Sequence, residues 1–255
     1  MESHESRVSR EAEIYDHHML QREGYESMLA HANEGPARMR RDQFVREAVA
    51  DLNDKTVLEI GTQAWAPMLN KFGVRPRSVT CVNISQAEVD AGKAQAEALN
   101  FRADFRVMDA HKLDFPANHF DFVYGVAILH HLDLGLALAE ISRVTKTGGR
   151  ILFVEPLRLN PIAQLVRFLT PKARTPDERP LSRRELRTID QYFDCVNLFT
   201  ELFYVPAAVL SRFAFKNPEN MLTRSSDALD KMLVTALPGL GLFYRTVTIY
   251  GRNRG

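Results

Sequence analysis

The rhythm of apolar and polar positions changes twice along the 255 residues. Between 5 and 51 the apolar side chains fall near helical spacing, with Ile14, Met19, Leu20, Tyr25, Met28 and Leu29 setting the period. Asn33-Glu34-Gly35-Pro36 breaks that segment, and a second helix is predicted over 37–51. Short apolar runs with strand character then take over at 56–60, 78–82, 103–108, 120–125 and 149–154. Helical stretches lie between most of them, at 64–72, 86–99 and 134–145, with Ser85 placed to cap the second. Strands alternating with helices at this spacing predict a mostly parallel sheet covered on both faces. After Pro156 the pattern changes again. Residues 161–191 read as helical or irregular, while 195–203 and 245–251 read as two final strands. The stretch between those strands is too long for a simple loop, so 204–244 is expected to carry helices of its own.

Composition adds little to this picture but excludes several classes. Apolar residues make up 45% and charged residues 25%, the balance of an ordinary globular protein. A net charge of +1 gives no global reason to expect nucleic acid or an anionic membrane as partner. Cys81 and Cys195 both lie in apolar, strand-like runs and read as core thiols in a reducing compartment. The polar N-terminus offers no apolar segment for a signal peptide, and the longest wholly apolar run, Leu202 to Leu210, is far shorter than a spanning helix. A cytoplasmic protein without a transmembrane segment is expected, with contact at a membrane surface left open.

In an open parallel sheet the ligand lies beyond the carboxyl ends of the strands. Four short segments fall there: Gly61 closes the first strand, Asn83 ends the second, Asp109 the third and Gly125 the fourth. The motifs around them are "VLEIG", "VTCVNIS", "RVMDAHKLDFPANHFDFVYGVAILHHL" and "TKTGGRILFVEP". In this order and spacing, the chain from about 55 to 160 resembles a class I S-adenosylmethionine-dependent methyltransferase of the small-molecule type. The resemblance implies an α/β fold: a Rossmann-like seven-stranded, mostly parallel sheet whose last strand is antiparallel. It also implies an N-terminal helical lid and a helical insertion before the last strand. The whole chain, 1–255, is then one domain, with the lid over 1–52, the cofactor core over 55–160 and substrate-side elements over 161–255.

The same resemblance implies S-adenosyl-L-methionine as cofactor, S-adenosylhomocysteine as product, and a set of residue roles. Gly61 would lie against the methionine part, Asn83 would bond the ribose hydroxyls and Ile84 would cover one adenine face. Asp109 would accept the adenine amino hydrogen, Ala110 would offer its backbone to the ring, and Glu59 would stand behind the sulfonium. Tyr15, in the lid segment "AEIYDHHML", would reach the cofactor, with His17 and His18 as lesser candidates. The first loop departs from the family pattern. Gln63 and Trp65 stand where two further glycines are usual, and the intact companion motifs favour retained binding with a variant pocket wall. Asn83 and Asp109 would also serve simply as turn residues.

His130, His131 and Glu155 follow strands four and five and are the candidates for the base that takes a proton from the acceptor. A packed, hydrogen-bonded histidine is the equal alternative. Adjacent histidines point in different directions and lack a completing ligand, so no metal is expected. Residues 167–187 hold seven basic and three acidic side chains, either a solvated face or a holder for phosphate or carboxylate groups. The apolar insert 204–244 would roof a substrate pocket, join two copies as a homodimer, lie on a membrane, or only pack the core. The functional expectation is methyl transfer to a small, apolar or amphiphilic metabolite such as a natural product, isoprenoid or lipid. The alternatives are a cofactor-binding protein that catalyses a non-methylating reaction such as cyclisation, and a non-catalytic binding protein. Nucleic acid is not expected as a partner, because Tyr124-Gly125-Val126-Ala127 replaces the base-methylation motif and no basic domain is appended.

Overall fold

A computed structural model describes residues 30–61, 69, 71–169 and 178–255. Two helices open the described chain, α1 (Ala30–Glu34) and α2 (Pro36–Val49). At the break between them a Cβ on Gly35 would fall 2.1 Å from the Tyr204 hydroxyl, so only glycine lets that side chain approach. There follow β1 (Thr56–Ile60), β2 (Ser78–Asn83), α3 (Gln86–Ala98), β3 (Asp104–Val107), β4 (Phe120–Val126), α4 (Leu134–Val144) and β5 (Thr145–Pro156). The rest of the chain forms α5 (Pro161–Leu169), α6 (Arg183–Tyr192), β6 (Phe193–Thr200), α7 (Tyr204–Ser211), α8 (Met221–Ala236), a 3-10 turn over Pro238–Phe243, and β7 (Thr246–Asn253).

The seven strands form one sheet in the order β3-β2-β1-β4-β5-β7-β6, with β7 antiparallel to both its neighbours and the other pairings parallel. This is the sheet expected from the sequence. Alternation along the strands divides the core between two faces. Leu58 and Ile60 pack with Leu138, Ile141, Leu186 and Ile189 beneath α4 and α6. Val57, Cys81, Phe122 and Tyr124 face the other way, onto Val45, Val49 and Leu52 of α2 and the segment after it. Cys81 and Cys195 are free thiols, set on strands far apart in the sheet order. Burial raises the pKa of both, Cys195 to about 12, which suits inert thiols.

The later elements differ from expectation at their ends. β6 begins at Phe193 instead of 195, because pairing with Asn253 and Arg252 of β7 recruits Phe193 and Asp194. It ends at Thr200, and Glu201 follows in the left-handed region at φ 77°. Among the described residues of 161–191 lie the helices α5 and α6, the second opened by a capping box between Ser182 and Glu185. The insert carries helices α7 and α8, as its length requires. The buried Asp230 carboxylate of α8 accepts the N–H groups of Leu202, Phe203 and Tyr204 and so fixes the start of α7. Arg40 of α2 holds Asp227 of α8 at 2.8 Å, which ties the insert to the N-terminal helices.

Candidate active site

The carboxyl ends of β2, β1 and β4 lie side by side, at the point where the strand order reverses about β1. Gly61 takes φ +99°, a conformation L side chains rarely adopt, and its N–H donates to the Val82 carbonyl at 2.8 Å. Among the described residues, no atom lies within 4 Å of where its Cβ would stand. Glycine is therefore required here by backbone conformation, and it leaves an open cradle at the strand end. Asn83 ends β2 as a turn residue: its Oδ1 accepts the Ser85 N–H at 3.0 Å, and Ser85 then caps α3 through Glu88 N–H. The Asn83 carbonyl accepts from Met108 at 2.8 Å, which holds the ends of β2 and β3 together and sets Asp109 near Asn83 and the half-buried Ile84.

Asp109 is anchored by a residue to which the sequence motifs assign no role. Its Oδ1 accepts the His111 backbone N–H at 2.9 Å and lies 2.6 Å from His111 Nδ1. The Asp133 N–H donates to His111 Nε2 at 2.8 Å, so Nε2 is the acceptor and Nδ1 carries the proton toward Asp109. Asp133 in turn caps α4 through Leu136 N–H. His111 thus braces the third strand end against the helix after the fourth. A histidine two residues beyond a turn-forming Asp was the only signal of this in the sequence. Ala110 is buried in the core beside it.

A second group forms beyond β4 and β5. Glu155 is fully buried, and its Oε1 accepts the N–H groups of Ile128 (3.0 Å) and Leu129 (2.9 Å). Its Oε2 lies 2.7 Å from His130 Nδ1. With both oxygens engaged and no exposed surface, Glu155 does not meet a substrate as the sequence allowed. It positions His130 instead. Nε2 of His130 lies 4.0 Å from Glu178 Oε1, and the His130 carbonyl accepts from Arg179 N–H at 2.7 Å. The His131 ring is tilted against that of His130 at 4.1 Å. Ala127, just before this turn, is held at φ 53° by its bond to the Val154 carbonyl. A non-glycine residue seldom adopts that conformation, and strain of this kind gathers at functional loops.

Two expected cofactor residues sit in the core. A Cβ on Gly125 would fall 2.7 Å from Ile128 Cγ2, 2.8 Å from Phe153 Cε1 and 3.0 Å from the Ile60 carbonyl. Packing, not approach of a ligand, requires that glycine. Glu59 is 1% exposed and faces Cys81, whose Sγ lies 3.6 Å from its Oε2. Tyr15, Gln63 and Trp65, with His17 and His18, lie outside the described residues. Among the described residues no cluster of His, Cys, Asp and Glu is arranged to hold a metal ion. Two shallow hollows lined by described residues lie elsewhere, one on α8 around Met232 and one on α6 around Arg187.

The sheet order is that of the class I S-adenosylmethionine-dependent methyltransferase fold. Residues 58–153 match the family described as "Methyltransferase domain". The ubiquinone/menaquinone biosynthesis C-methyltransferase UbiE of Burkholderia cenocepacia is 48% identical over 50 residues, 18% of this chain and 20% of that protein. An uncharacterized methyltransferase of Schizosaccharomyces pombe is 33% identical over 95 residues, 37% of this chain and 34% of that protein. The alignments therefore span well under half the length of these curated relatives. Among solved structures, geranyl diphosphate C-methyltransferase from Streptomyces coelicolor A3(2) superposes with a TM-score of 0.58 at 16% identity, over 92% of this chain and 88% of that one. The [4+2]-cyclase SpnF superposes at 0.56 and 19% identity, over 84% and 80%. These likenesses place the fold.

Proposed function

We propose that the protein is a methyltransferase that uses S-adenosylmethionine and passes its methyl group to a small, apolar or amphiphilic acceptor. The observation that carries this reading is the braced third strand end, where Asp109 is locked by His111 beside Asn83 and Ile84, next to the open cradle at Gly61. These residues fit the cofactor. Asp109 and Ala110 would receive the adenine, Asn83 the ribose and Gly61 the methionine portion, with Gln63, Trp65 and Tyr15 completing the wall and Glu59 standing behind. The bound cofactor supplies an electrophilic methyl group on a sulfonium. The protein's own share is to hold the acceptor in line and to take up a proton.

His130 suits that second task. Glu155 accepts at Nδ1, so Nε2 carries the lone pair, and an imidazolium there would lie between Glu155 and Glu178. The likeness to a ubiquinone/menaquinone biosynthesis C-methyltransferase and to a geranyl diphosphate C-methyltransferase supports an isoprenoid or lipid-like acceptor. The test is calorimetric titration with S-adenosylmethionine and S-adenosylhomocysteine, alongside mass spectrometry of the protein as purified. Micromolar binding of either is expected; failure of both to bind overturns the reading. The cyclase among the structural neighbours favours one alternative, cofactor binding without methyl transfer. In that case S-adenosylmethionine would remain unconsumed during turnover.

A further inference from the structure

Twenty large apolar side chains stand exposed among the described residues, and fourteen of them fall between Leu159 and Phe243 outside β6. Topology gathers these on one side. α5 leaves the carboxyl end of β5, and the segment α7–α8 leaves the carboxyl end of β6, which runs parallel to β5 through their shared partner β7. The densest group is on α5 and the residues leading into it. Leu159, Ile162, Leu165 and Phe168 recur every third residue, with Leu165 57% and Phe168 81% exposed. The helix start is built firmly: Asn160 caps it through Ala163 N–H and donates to the Phe243 carbonyl at 2.9 Å. An apolar stripe on a well-anchored helix that faces water needs a cover.

What lies beside it indicates the cover. Leu157 and Leu181 form a parallel bridge, and Arg158 N–H donates to the Leu181 carbonyl at 2.9 Å, so α5 and α6 begin side by side. The opening turns of α6 present Arg183, Arg184 and Arg187 on its outer face, all exposed, while Leu186 and Ile189 turn inward. None of the three forms an ion pair with a described residue. By contrast Arg143, Arg150, Arg224, Arg245 and Arg254 each hold a carboxylate. Residues 157–187 carry eight basic and three acidic side chains in a chain whose net charge is +1.

We propose that α5 and the first turns of α6 dock on an anionic lipid surface. Ile162, Leu165 and Phe168 enter the acyl boundary, and the three arginines meet the lipid phosphates. A second copy of the chain is the poorer occupant, since a two-fold contact through this face would bring two exposed arginine triplets together. Docking would set the strand ends toward the membrane, where an amphiphilic acceptor resides.

Co-sedimentation of the full chain with vesicles tests this, using phosphatidylcholine alone and phosphatidylcholine with phosphatidylglycerol. Binding is expected only with the anionic lipid, and it should fall as salt is raised. Each Arg→Gln change at 183, 184 or 187 should weaken it roughly fivefold. Leu165→Ser with Phe168→Ser should abolish it, while Leu136→Ser on α4, similarly exposed but off this face, should leave it unchanged. Absence of binding to anionic vesicles, or equal binding by all variants, overturns the proposal. So does a dimer in sedimentation velocity that Phe168→Ser dissociates. None of these readouts depends on the cofactor, so their failure leaves the methyl-transfer reading standing.

Discussion

Glu155 offers a direct test of how the β4–β5 end is built, because one buried carboxylate serves three donors: the N–H groups of Ile128 and Leu129 and Nδ1 of His130. Glu155→Ala strands all three in a site with no exposure. Each unsatisfied buried donor costs about 1–3 kcal/mol, so a loss of at least about 3 kcal/mol is expected. For a chain of this size that is a fall in Tm of roughly 6–12 °C. Glu155→Gln should behave differently. Its carbonyl oxygen still accepts the two backbone N–H groups, and its amide then turns an N–H toward His130 Nδ1. Two donors cannot face each other, so His130 must move its proton to Nε2. The stability cost is only that of exchanging one charge-assisted bond for a neutral one, about 1 kcal/mol. The base, however, is lost. Thermal unfolding measures the first effect, and long-range nitrogen-proton correlation spectra of the His130 ring read the tautomer without any substrate. Equal stability of the Ala and Gln variants, or a ring that keeps its Nδ1 proton beside the introduced amide, would refute the assignment of Glu155 as the positioning group.

Three further outcomes follow from the structure. Asp109→Ala should weaken S-adenosylhomocysteine binding by one charge-assisted hydrogen bond, about 1.5–3 kcal/mol or roughly 10- to 150-fold, as measured by calorimetry. An unchanged isotherm would place the adenine elsewhere. Gly35→Ala forces a methyl group to 2.1 Å from the Tyr204 hydroxyl and 3.0 Å from the His31 carbonyl, and should cost about 1–3 kcal/mol of stability, read by thermal unfolding, without altering cofactor affinity. At Asp121, burial opposes ionisation, but Lys146 and the Thr56 N–H and hydroxyl outweigh it and hold the carboxyl at about 2, below its ordinary 3.8. Its stabilising share is therefore complete above the unfolded value and is lost as pH falls from near 3.8 toward about 2. Asp121→Asn should flatten the acid limb of the stability curve in that window, read by denaturant titration, and leave cofactor binding at neutral pH untouched.

The ends of β1, β2 and β3 in the candidate site were more legible in the sequence than the group beyond β4 and β5. Gly61, Asn83 and Asp109 stand at strand ends that periodicity alone locates, because side chains alternate along a strand and its end is marked by a turn residue. Strand pairing was needed to see what Glu155 and His130 do. They are 25 residues apart, and they meet because β4 and β5 are neighbours in register, Gly125 opposite Phe153. The same register explains Gly125, where Ile128 and Phe153 fill the room a side chain would take. His111 showed only its place two residues beyond a turn-forming Asp, since its other partner, Asp133, lies 22 residues further on with β4 between them.

By itself, then, the sequence determined the alternation of strands and helices, the two-faced core, the glycine turn after β1, the helical insert and the motifs that resemble a methyltransferase. These depend on local period and composition, which the chain carries wherever it goes. Only the tertiary structure decided that Glu155 serves the backbone and His130, that Asn83 builds a turn, that Asp109 is braced through His111, and that the apolar stripe of α5 opens beside three exposed arginines. Those depend on which residues distant along the chain become neighbours, and in a close-packed sheet that is set by strand order and register.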